Sequence, residues 1–163
     1  MVANRTDDTL GTIGATEFVD FVGDNVALAG QIDYPETDRP TNGYPLIFII
    51  QHGTSTSRND FKHVMSLGMK IGAAVFRWDK RGTGRSGSGS QGAIEVDTLN
   101  AYKVAINLPS IDKSRVVIYA QSDGTLLLGQ EYARFRKLQA PLGIILASNM
   151  LDEQAILPID RPV

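Results

Sequence analysis

No cysteine occurs in the 163 residues, which excludes disulfides, thiolate nucleophiles and cysteine-ligated metal sites. Redox chemistry would need a bound cofactor. Histidine is nearly as scarce: the only two, His52 and His63, both lie in the first half of the chain. Positive charge is not in excess either. With 16 Lys and Arg against 18 Asp and Glu the net charge is −2, so the chain lacks the overall basicity that attracts phosphate backbones or anionic lipid. Neither nucleic acid nor a membrane is an expected partner. The cations that do cluster, Arg134, Arg136 and Lys137, fall where a helix is expected to end, a place where positive charge opposes the helix dipole. No apolar run approaches the about eighteen residues of a membrane span, and the opening MVANRTDDTLGTIGATEF has no apolar core behind a basic flank. The cytoplasm is the default compartment.

What is present suits one soluble globular domain, 42% hydrophobic and 21% charged. Residues 1–15 read as an N-terminal tail and 16–163 as the domain. Glu17 to Val22 and Val26 to Tyr34 read as two strands joined by the turn-forming GDN, hence an opening hairpin. LIFIIQHG, Leu46 to Gly53, is short and almost wholly apolar, as a strand buried on both faces of a parallel sheet should be. A helix follows with Asp60 as its N-cap and Phe61, Val64, Met65 and Gly68 at helical spacing. AAVFRWD is the next buried strand, which completes a β-α-β unit. Beyond the Gly/Ser-rich RGTGRSGSGSQG comes a helix from about Ile94 to Leu108, with Ala101, Val104, Ala105 and Leu108 on one face. RVVIYAQ is the third parallel strand, Thr125 to Lys137 a helix, and LGIILAS, Leu142 to Ser148, the fourth. This alternation predicts an α/β fold: a mostly parallel sheet with helices on both faces, entered by an antiparallel hairpin.

Three stretches carry chemistry. In YAQSDGTLLLG, Ala120, Ser122 and Gly124 form an AxSxG version of the nucleophile elbow at a strand-to-helix junction. A bend that sharp brings backbones together, so the residues two before and two after the serine must be small. It also strains the serine and lifts its hydroxyl above the carboxyl end of the sheet, where ligands of open α/β sheets bind. The amide of Asp123, at the start of the following helix, would face a developing negative charge. QHGTSTSRNDF, at the end of the first buried strand, is placed to supply a second oxyanion donor from the amide of Thr54 or of Gly53. The third stretch is FRWDKRGTGRSG.

Taken together, HGTSTSRNDF, WDKRGTGRSG and AQSDGT, in this order and spacing, resemble the α/β-hydrolase fold superfamily, in particular its esterase-like and acyl-peptidase-like members. The resemblance runs from about residue 16 to 148. It implies serine hydrolysis of a small ester, thioester or amide through an acyl-enzyme, with no metal or organic cofactor. By the same resemblance Ser122 is the nucleophile, and the backbone N–H groups of Asp123 and Thr54 form the oxyanion hole. Asp79, Arg81, Gly82 and Gly84 match a structural loop, and His52 matches a histidine that is ordinarily not the base.

The superfamily places its acid and then its histidine after the serine, yet no histidine follows Ser122. His63, beside Val64 and Met65 on a helix, suits a surface or packing role. Asp152 and Glu153 are candidate acids without an imidazole to orient. The expectation is therefore a domain truncated before its last strands, with LGIILAS left as a sheet edge that invites association with another chain. Two alternatives stand beside it. One is a hydrolase-fold module that binds a small molecule or a protein without catalysis. The other is a nucleotide-binding domain, because Gly82, Gly84 and Gly87 also spell GxGxxG.

Overall fold

The computed structural model describes residues 11–51, 56–89 and 92–148. The chain opens with strands β1 (Ile13–Val22) and β2 (Ala27–Pro35), then β3 (Tyr44–Ile50). A 3₁₀ turn (Arg58–Phe61), helix α1 (Lys62–Lys70) and β4 (Ala74–Trp78) come next. Helix α2 (Ile94–Ile106), β5 (Ile111–Gln121), α3 (Asp123–Leu138) and β6 (Gly143–Ala147) complete it. The six strands form one sheet in the order β1-β2-β4-β3-β5-β6. β1 and β2 are antiparallel, as is β2 with β4, while β3, β4, β5 and β6 run parallel.

That order explains where a ligand can sit. From β3 the chain crosses to β4 on one side, then returns past β3 to β5 on the other. Right-handed crossovers of opposite direction place their helices on opposite faces. α1 accordingly packs on one face through Phe61, Val64 and Met69 against Ile47, Ile49 and Val75. α2 and α3 cover the other face, where Tyr102 and Phe135 meet Phe48, Phe76 and Ile118. The direction reverses at β3, so the crevice beyond the carboxyl ends of β3 and β5 is the topological switch point.

The core explains the stability of β3. Its residues alternate between the two apolar clusters, and Phe48, with no exposed surface, stacks on Phe76 at 6.1 Å and meets Tyr102 edge-on at 5.0 Å. Fully burying a side chain of this kind contributes roughly 1.5–3 kcal/mol. The α1 face carries one charged pair inside the sheet: Arg77 on β4 donates to Asp33 on β2 at 2.5 and 3.2 Å. Asp33 also accepts from Thr16 and Gln31, both at 2.8 Å, so no oxygen of this buried carboxylate lacks a partner.

Several boundaries differ from the expectation. β1 starts at Ile13 instead of Glu17, because β2 continues to Pro35 and offers it a partner. β5 starts at Ile111, paired with Tyr44 across a register shift. Asp60 is not the N-cap of α1. Ser57 caps the preceding 3₁₀ turn, and the Asp60 carboxylate accepts from the Ser57 backbone at 2.6 Å, a capping box. α3 starts at Asp123, two residues before Thr125. Among the described residues β6 pairs with β5 alone and lies at the end of the strand order. Its Ile144, Ile145 and Leu146 are 41%, 42% and 50% exposed, which makes it an apolar edge strand of the kind that invites pairing. Among the described residues no helix is long and apolar enough to cross a membrane.

Candidate active site

Ser122 stands alone between β5 and α3, with φ +52° and ψ −123°. This is outside the regions a side chain adopts comfortably and costs about 1–3 kcal/mol. Neighbouring elements hold it there. Its N–H donates to the Ala147 carbonyl of β6 at 3.0 Å, and its carbonyl accepts from the Thr125 N–H at 2.8 Å and the Thr125 hydroxyl at 2.7 Å. The structure also refines why small residues flank it. A Cβ on Gly124 would lie 2.6 Å from the Ile50 carbonyl oxygen and 3.0 Å from that of Gln51. The constraint therefore comes from the end of β3, against which α3 is pressed, and not from the bend alone. Ala120, fully buried, lies between Ile50 of β3 and Leu146 of β6.

Asp123 begins a helix of 16 residues, whose first-turn N–H groups have no intrahelical acceptor and carry the positive end of the dipole. Its carboxylate also acts on Lys80, the second residue beyond β4. Burial lowers the pKa of Lys80, and the attraction of Asp123 opposes that shift.

The second oxyanion donor expected from sequence, Thr54, lies outside the described residues, as do Gly53 and His52. The residues that flank them are tied together. The Gln51 side chain, 5% exposed, donates to the Trp78 carbonyl and accepts from the Thr56 hydroxyl at 3.2 Å. Thr83 donates to the Thr56 carbonyl at 3.1 Å, and the Arg58 N–H donates to Asp79 at 2.9 Å.

Asp79 organises the loop after β4. Its second oxygen accepts from the Arg85 N–H at 2.9 Å, and Ser86 links its carbonyl to the Ala29 N–H of β2. Arg81 makes a two-pronged bond to Asp97 at 2.6 and 2.8 Å and reaches the Asp24 carbonyl at 3.1 Å. One guanidinium thus joins the β1–β2 turn, this loop and the first turn of α2. The dinucleotide alternative meets a geometric obstacle here. Its third glycine should lie at the start of a helix, but Gly87 turns back to donate to the Ala27 carbonyl at 2.8 Å, and α2 starts only at Ile94.

His63 lies on α1, exposed to solvent, with its ring edge-on to Tyr119 at 6.3 Å, which agrees with a surface role. Asp152 and Glu153 lie outside the described residues. Sequence reasoning missed Lys80 and Gln51. Both sit just past strand ends on the carboxyl edge of the sheet, a position that marks ligand-facing residues in this kind of fold.

No family model and no curated protein matches the chain. Solved structures do. Vibralactone cyclase is similar with a TM-score of 0.65 and 18% identity, over 86% of this chain and 43% of that one. An esterase from Pyrococcus furiosus gives 0.58 and 22%, over 80% of this chain and 48% of that one. An α/β hydrolase from a Penicillium species gives 0.63 and 15%, over 85% and 47% respectively. The chain thus spans less than half the length of each. This likeness, together with an antiparallel hairpin followed by parallel strands, gives the described residues an α/β-hydrolase-like fold.

Proposed function

We propose that this fold serves a serine hydrolase of carboxylic esters, thioesters or amides that works through an acyl-enzyme on Ser122. The observation that carries the reading is the backbone of Ser122, held left-handed at φ +52° where a glycine would be relaxed. A strained residue at the ligand-binding edge of a sheet is the kind of feature a function retains. In this mechanism the Ser122 hydroxyl oxygen attacks the substrate carbonyl carbon and gives its proton to a base. The oxyanion is met by the amides of Asp123 and Thr54, and the alcohol leaves with the proton. Water then repeats the sequence, releases the acid and restores the serine.

The base and its orienting carboxylate are assigned to polypeptide outside this chain, which pairs along the apolar edge of β6. Support comes from the sequence, where no histidine follows Ser122, and from the exposed Ile144, Ile145 and Leu146. The substrate is a small acyl compound, and the chemistry needs no metal or cofactor.

A fluorophosphonate reagent tests the nucleophile. The chain is expected to be labelled and Ser122→Ala is not. Equal labelling of the two proteins contradicts the proposal.

A further inference from the structure

A cleft of about 380 Å³ runs between the N-terminal halves of α2 and α3, above the ends of β3 and β4. That size lies in the lower part of the range for small-molecule sites, about 300–1,000 Å³. The cleft reaches the elbow at Asp123, the residue after Ser122. From there α3 presents Leu126 and Leu127, one turn on, to one wall. α2 presents Ile94 to the other, and Trp78, 1% exposed, contributes to the lining from the end of β4. These four side chains suit an aliphatic or aromatic group.

The charges around the cleft define what it rejects. Glu95, Asp123 and Glu131 line it against a single cation, Lys80. Lys80 is engaged electrostatically with Asp123, and Glu131 is bonded to Arg134 at 2.8 Å. Among the lining side chains, a carboxylate entering would thus meet three negative groups and one positive, which outweighs the partial positive charge at the first turns of α2 and α3.

We infer that this cleft receives the apolar, uncharged portion of the substrate acylating Ser122, and that it discriminates against anionic groups. The assignment rests on the serine hydrolase reading for its link to substrate. Its binding is measurable without turnover, because Trp78 is the only tryptophan in the chain and its emission reports occupancy directly.

The experiment titrates the chain with hexan-1-ol and with hexanoate while following Trp78 fluorescence, alongside fluorophosphonate labelling. Hexanol is expected to give a saturable change and hexanoate to bind at least about tenfold more weakly. Leu126→Phe, and independently Ile94→Phe, should each weaken hexanol by about tenfold or more while leaving the far-ultraviolet circular dichroism intact. No saturable response, equal binding of hexanoate, or responses unchanged in both variants overturns the inference. If labelling at Ser122 persists in that case, the serine reading survives. Saturable hexanol binding with no labelling at Ser122 overturns the serine reading, and with it the assignment of the cleft to a substrate.

Discussion

Two residues at the carboxyl edge of the sheet share nearly the same backbone torsion, Gly84 at φ +51° and Ser122 at φ +52°. In the loop after β4 that conformation is filled by glycine, and a side chain there would also collide with Asp79, 2.3 Å from the would-be Cβ. In the elbow after β5 it is filled by serine. The loop is relaxed and its polar groups are spent on internal bonds from Asp79, Arg81 and Ser86. The elbow keeps a strained residue although glycine would ease it. The contrast separates a loop whose geometry is relaxed from an elbow that holds strain, the feature on which the proposed nucleophile rests.

Breaking the stabilising region should have the largest effect. Arg81→Leu leaves the Asp97 carboxylate, which has no exposed surface, without its ion-pair partner. Stranding a buried charge in this way costs about 3–5 kcal/mol, a large share of the about 5–15 kcal/mol that holds a domain together. Urea denaturation should show a marked drop in midpoint with an unchanged slope. A small drop would mean that water reaches Asp97.

Gly84→Ala should cost less, about 1–3 kcal/mol, from forced φ and from displacement of Asp79. Thermal melting measures it. Ser122→Gly should have the smallest effect and the opposite sign, a gain of about 1 kcal/mol, because relief of strain outweighs the added chain entropy of glycine. If Ser122→Gly destabilises the fold as Gly84→Ala does, the two positions are alike and the strain argument fails.

Much of this was legible before any coordinates. The apolar run of β3 announced a strand covered on both faces, and AQSDGT after β-branched residues announced a bend with a serine at its apex. Both follow from local patterning. The start of β5 was not legible, since Asp112, Lys113 and Ser114 break the apolar pattern and Ile111 is strand only because Tyr44 pairs with it. The cap at Ser57 was hidden because Asp60, three residues on, is an equally good capping type. The role of Gly124 and the cleft beside Ser122 depend on distant segments: one on the carbonyls of β3, the other on α2 lying next to α3. Thr54 remains an expectation from sequence, lying among residues 52–55 outside the described part.

The proposal tested most directly is that Ser122 acts as a nucleophile with a base drawn from polypeptide outside this chain. Removing triad members from a serine hydrolase leaves about 10³–10⁴-fold catalysis from the remaining site, so the chain alone should react slowly with a fluorophosphonate. On this proposal free imidazole stands in for the base. The decisive measurement is the rate of modification at residue 122, mapped by tandem mass spectrometry, with and without imidazole. The account predicts slow modification of Ser122 that rises steeply with imidazole. Modification only at other residues, or an imidazole response identical in Ser122→Ala, would contradict it.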